Sequence, residues 1–180
     1  MISWESFRHQ NTAYDLTHLH PRIVIFTQAA KGDRPERTYT VNVAFGLHCF
    51  TRGLKENEQP DPALSYSDSR EARIFDFERF ELSKRLPALV QNLPQSKCFH
   101  TGHANYFSIE VLNDQGHAIE YEIYFAVTRS GKKGGRLTLF VQSAYVRDDK
   151  HGLNKPQKKA ISFYVILFNT LNDRPIKPAP

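Results

Sequence analysis

A period-two alternation over residues 38–50 constrains this chain more than any other feature. Tyr39, Val41, Val43, Phe45, Leu47 and Cys49 fall on one parity; Thr40, Asn42, Ala44, Gly46, His48 and Phe50 fall on the other. Successive strand side chains point to opposite faces, so a run of this length specifies a long, half-buried strand. Residues 22–27, a Val/Ile/Phe run after Pro21, read as a second strand. The intervening residues 29–36 contain Lys-Gly-Asp-Arg-Pro, a loop by its Gly and Pro, so the two strands form a hairpin.

The rest of the chain supplies enough apolar material to cover that strand. Forty per cent of its 180 residues are hydrophobic, including 13 Phe and 8 Tyr, which excludes a disordered chain and suits one domain over residues 1–180. Residues 52–70 are polar, carry Pro60 and Pro62, and read as a surface loop. Residues 73–77 read as a short strand. From Glu78 onward Leu82, Leu86, Leu89, Val90 and Leu93 keep helical spacing, with a kink expected at Pro87. After a loop at 95–105 come four alternating runs, at 107–111, 119–127, 137–141 and 161–167. Short links between them predict an antiparallel meander. The tail 173–180, with three prolines, is expected to be irregular. The predicted class is therefore α+β: an antiparallel sheet, made of an N-terminal hairpin and a four-stranded meander, with one main helix packed on it.

The two cysteines, Cys49 and Cys98, do not make a disulfide framework. The N-terminal stretch lacks the apolar segment of a secretory signal, and the longest apolar run, residues 163–168, is far too short to span a bilayer. These features predict a cytoplasmic protein without a membrane partner.

Charge is distributed unevenly. Residues 129–180 carry eleven Lys/Arg against three Asp, a net of +8, whereas residues 1–128 carry a net of −3. A field of one sign at one end attracts polyanions, of which nucleic acid is the commonest. The same charge would also serve as a plain solubilising surface.

Two stretches carry candidate chemistry. In residues 136–147 one parity runs Leu137, Leu139, Val141, Ser143, Tyr145, Arg147, a core row that turns polar at its C-terminal end, as at a cleft mouth. Arg129 ends the preceding strand and His151 comes after a short turn. Arg binds phosphate bidentately, and Tyr or His transfers protons. The bland alternative packs Tyr145 at the core rim and pairs Arg147 with Asp148 or Asp149. The second stretch is Cys98-Phe-His100-Thr-Gly-His103, whose histidines suit an acid/base pair; with Cys98 they form an alternative metal set, although the spacing matches no recognised zinc pattern. His48 and Cys49 lie on opposite parities, and His18 with His20 suits structural hydrogen bonding. The Gly131–Gly135 turn is no P-loop, since it lacks the Gly-Lys-Ser/Thr ending and joins two strands.

The order of helix then meander over 77–169, and above all GRLTLFVQSAYVR at 135–147, resembles the small bacterial ribonuclease toxins of the RelE and barnase-like type. In those folds a curved sheet presents Arg, Lys, Tyr and His to RNA. FGLHCFTRG, KCFHTGHANYF and FVQSAYVRD are similar to a family of uncharacterised bacterial proteins carried near mobile elements and labelled "stationary phase growth adaptation". That label implies a growth-affecting role without a mechanism.

The leading expectation is an RNA-acting protein, a metal-independent endoribonuclease of toxin or defence type that needs no cofactor. Its catalytic candidates are His100, His103, Arg129, Tyr145, Arg147 and His151; Lys132, Lys133, Arg136, Lys150, Lys155 and Lys158 would hold the nucleic acid. The alternatives are a non-catalytic nucleic-acid-binding module and a protein-interaction domain with a partner such as an antitoxin.

Overall fold

The computed structural model describes residues 2–101, 105–114, 117–131, 135–146 and 159–176. His103, Lys132, Lys133, Arg147, Lys150, His151, Lys155 and Lys158 lie outside the described residues, as do 177–180 of the predicted irregular tail.

The chain opens with a small hairpin, β1 (Phe7–His9) and β2 (Thr12–Tyr14), and a 3-10 turn at Thr17–Leu19. Trp4 donates its indole N–H to the Phe45 carbonyl at 2.9 Å, which fastens this segment to the core. The predicted hairpin comes next, as β3 (Arg22–Gln28) and β4 (Arg37–His48), paired antiparallel. Tyr39, Val41, Val43, Phe45 and Leu47 are all buried, as the alternation requires.

The segment read as a surface loop, 52–70, holds more structure than its composition suggested. It carries a 3-10 turn at Pro62–Leu64 and contributes to a three-stranded sheet of β5 (Thr51–Arg52), β6 (Ser65–Ser67) and β7 (Ala72–Phe75). The helical stretch divides where Pro87 predicts it should. α1 (Phe77–Ser83) is capped by Asp76, whose carboxylate accepts from the Arg79 N–H at 2.9 Å, and α2 (Leu86–Gln91) restarts with proline in its first turn. Then come β8 (Cys98–His100), β9 (Tyr106–Asp114), β10 (His117–Ser130), β11 (Arg136–Val146), β12 (Ala160–Ile161) and α3 (Phe163–Leu171).

The main sheet has seven strands in the order β12-β8-β9-β10-β11-β4-β3 and curls into a half-barrel. This corrects the expectation of a purely antiparallel sheet, because β11 pairs with β4 in parallel. The N-terminal hairpin and the meander are separate antiparallel units. The long excursion through β5–β7 and both helices lets them join in either sense.

A second correction concerns residues 161–167. Only Ala160–Ile161 is strand, and α3 begins at Phe163. The buried residues Phe163, Ile166 and Leu167 have i, i+3, i+4 spacing. A short apolar run satisfies strand and helix periods alike, and here the open core face of the sheet decides for helix. α3 lies on that face: Phe163 meets Phe26 and Phe125 edge-on, and the Tyr164 hydroxyl donates to the Thr27 carbonyl at 2.7 Å. The fourth meander strand that supported the resemblance to RelE-type toxins is thus a helix. Among the described residues no helix is long and apolar enough to cross a membrane.

Candidate nucleic-acid interface

Strand pairing brings two turns to one end of the sheet. Ser130 pairs with Arg136 across the β10–β11 turn, and Gln28 pairs with Arg37 across the β3–β4 turn. Because β11 runs parallel to β4, with Leu137 beside Val41, the two strands start at the same end of the sheet. The C-terminal end of α3 joins them through an ion pair between Arg129 and Asp173 at 3.4 Å.

Six cations therefore belong to the segments that meet at this end: Lys31, Arg34 and Arg37 around the first turn, Arg129 and Arg136 beside the second, and Arg174 after α3. Arg136, next to core-facing Leu137, lies on the sheet face opposite Arg37 and α3. The acidic residues of the same segments are Asp33, Glu36 and Asp173. Of the six cations, only Arg129 has a carboxylate partner among the described residues, and that bridge is exposed. Arg37 and Arg174 both lie over the ring of Phe168, at 4.3 and 5.2 Å from its centroid. The ring positions their guanidinium planes while leaving their N–H donors free for an anion.

Lys31, Arg34, Arg37 and Arg174 were not among the sequence-derived candidates. The loop at 29–36 was visible in the sequence, but its position at the β10–β11 end of the sheet depends on the parallel pairing, which no local pattern encodes.

The three catalytic candidates among the described residues, His100, Arg129 and Tyr145, do not converge. Arg129 stands opposite Leu137, whereas Tyr145 lies eight residues further along β11. At about 3.3 Å per residue the two are some 25 Å apart, at opposite ends of the hairpin. His100 and Tyr145 are on opposite faces. His100 packs against Tyr106, which contacts Phe125 on the core face. Tyr145 belongs to a row on the other face, where Phe99, Phe107, Tyr124 and Tyr145 come from four neighbouring strands with centroid spacings of 5.2, 5.5 and 5.7 Å. Arg79 ends the row, 5.2 Å above Tyr145.

Tyr145 reaches that face through a register shift between Val141 and Ser143. The core row then continues through fully buried Ala144, so it does not turn polar at Tyr145 as strict alternation predicts. Beside the row, buried Glu122 accepts a hydrogen bond from the Tyr124 hydroxyl at 2.7 Å. Desolvation, reinforced by that carboxylate, raises the Tyr124 pKa and keeps the phenol protonated.

Among the described residues, the other histidines and cysteines singled out in the sequence have structural surroundings. His18 bonds Ser83, His20 bonds the Trp4 carbonyl, and His48 pairs with Glu71 at 2.7 Å. Desolvation lowers the pKa of His100, with Lys159 adding to the effect. Cys49 and Cys98 are free and buried, and burial pushes both thiols up to about 12. Cys98 is therefore held as a neutral thiol. Among the described residues no three His, Cys, Asp or Glu side chains gather as a metal site requires.

Fold and surface together define an α+β protein with a mixed sheet, a helix-covered core face and one cationic end. The YjaZ family model matches residues 6–171, and the chain belongs to the YjaZ family. It is 30% identical over 180 residues to Protein YjaZ of Escherichia coli (strain K12), covering 98% of this chain and 95% of that protein. No solved structure matches it.

Proposed function

We propose that the protein acts on RNA by binding it through the cationic end of the main sheet. The observation that carries this reading is the groove at that end where Lys31, Arg34, Arg37 and Arg174 come together without a carboxylate partner among the described residues, with Arg129 and Arg136 on the neighbouring strands at the same end. Such a surface engages phosphates without reading bases, so binding is expected to depend strongly on salt. With four phosphates neutralised on a single strand, affinity falls roughly fifty-fold between about 50 and 200 mM salt.

The test is fluorescence anisotropy with a labelled single-stranded RNA across that salt range, beside an Arg34→Glu/Arg136→Glu variant. Steep salt dependence and loss of binding in the variant are expected. Binding that survives high salt, or is unchanged in the variant, would move the function to a protein partner.

A second reading, metal-independent RNA cleavage, draws on the far end of β11. There Tyr145 stacks on Tyr124 beside buried Glu122, and Arg147 stands two residues later in the chain. Incubating the same RNA with the protein in excess EDTA tests it: intact RNA after prolonged incubation leaves the binding reading alone.

A further inference from the structure

Between the β3–β4 turn and α3 lies a groove of about 360 Å³, lined by Lys31, Arg34, Arg37, Tyr164, Phe168 and Arg174 among others. Its size is at the lower end of small-ligand sites, which run from about 300 to 1,000 Å³. The lining holds four cations and no carboxylate. None of the four makes a side-chain hydrogen bond or ion pair among the described residues; what holds two of them is the Phe168 ring, under Arg37 at 4.3 Å and Arg174 at 5.2 Å.

We infer that this groove holds a nucleoside phosphomonoester, which for an RNA-binding protein is the phosphorylated end of the bound RNA. Charge density distinguishes this ligand from the rest of an RNA chain. An internal phosphodiester carries one negative charge, whereas a phosphomonoester carries about −1.5 to −2 at neutral pH and offers three acceptor oxygens. Guanidinium forks match such a group bidentately. Four convergent cations around a volume this small exceed what one phosphodiester neutralises, and the concave groove suits a chain end better than a strand passing through. Phe168 and Tyr164 add apolar and aromatic surface for the adjoining nucleoside.

The inference rests on the RNA reading only for the source of the phosphate, and the experiment separates the two. Affinities are compared for one RNA sequence carrying a 5′-phosphate, a 3′-phosphate or no terminal phosphate, and for a nucleoside monophosphate as competitor. At least a tenfold preference for one phosphorylated end is expected, the order that one additional charge-assisted contact supplies. That preference disappears in an Arg37→Gln/Arg174→Gln variant whose thermal melt matches the wild type.

Equal affinity for all three RNAs overturns the groove assignment and leaves RNA binding standing. A preference that survives in the double variant overturns it as well. Binding of the monophosphate without binding of any RNA supports the groove and removes the RNA reading, and binding of none of these ligands overturns both. The comparison among the wild-type ligands stands without any variant.

Discussion

Gly46 on β4 approaches Gln142 on β11 so closely that a Cβ placed on the glycine would meet the Gln142 carbonyl oxygen at 2.8 Å. The contact sits at the register shift in β11, where Val141 pairs with Phe45 but Ser143 pairs with His48. The obstruction is backbone, and it cannot rotate away as a side chain would. Gly46→Ala is therefore expected to destabilise the fold by roughly 1–3 kcal/mol, the usual cost of overpacking. For a domain of this size that corresponds to about 2–4 °C in Tm per kcal/mol. An unchanged urea midpoint would show that β11 accommodates the methyl group by moving.

Tyr145 provides a test that separates structure from chemistry. Its ring stacks on Tyr124 at 5.7 Å and lies under Arg79 at 5.2 Å. Tyr145→Leu removes both contacts and is expected to cost roughly 1–3 kcal/mol, combining ring pairing with a cation–π contact. Tyr145→Phe keeps the ring but loses the hydroxyl's hydrogen bond with Tyr124, and should cost about 0.5–1.5 kcal/mol in equilibrium unfolding, less than Tyr145→Leu. RNA binding should be retained in Tyr145→Phe. If the wild type cleaves RNA and Tyr145→Phe does not, the hydroxyl transfers a proton in that cleavage.

Legibility from sequence tracked the range of the interaction. The β4 alternation and the break at Pro87 are local, and both appear in the structure. The run at 163–168 was ambiguous because six apolar residues satisfy two periods, and only the uncovered sheet face settled the choice. The face of Tyr145 depended on a register shift invisible to alternation. The cationic end was half legible: a charge count flagged residues 129–180, but Lys31, Arg34 and Arg37 join it through a parallel pairing between strands nearly a hundred residues apart.

His18 is expected to make stability fall at mildly acidic pH. The Ser83 hydroxyl donates to the Phe80 carbonyl at 2.7 Å, so at 2.8 Å it accepts from His18 Nε2. Desolvation holds the His18 pKa below 6.5; Lys84 and Arg22 lower it further, while Asp15 opposes them. With the folded value depressed, the unfolded chain takes up the proton first. Stability therefore declines as pH drops below 6.5 and levels off below the folded value. His100 shifts in the same direction. Asp15, Glu58, Asp68 and Glu71 are also depressed, Glu58 to about 2 by Arg52, but their contributions are lost only below their ordinary values of 3.8 to 4.5. Urea midpoints between about pH 7.5 and 5.5 thus isolate the histidines. His18→Gln keeps an N–H for Ser83 and should flatten the decline without removing it; an identical slope would sink the assignment.

Asp173→Asn tests the cationic end by adding affinity. Asp173 is the exposed partner of Arg129 at 3.4 Å, with side-chain exposures of 84% and 40%. A bridge this exposed contributes at most about 1 kcal/mol to stability. Asp173 also adopts a positive φ of 55°, a conformation that asparagine accepts readily. The substitution should therefore leave the fold intact while removing a negative charge and releasing Arg129. RNA affinity is expected to rise roughly two- to five-fold at low salt, with a steeper salt dependence, because one more cation is available to displace counterions. The gain should vanish at high salt, where the charges are screened. The same substitution combined with Arg129→Gln should return affinity to wild type or below. Unchanged binding in Asp173→Asn would place the RNA away from Arg129 and confine the interface to the β3–β4 side of the sheet end.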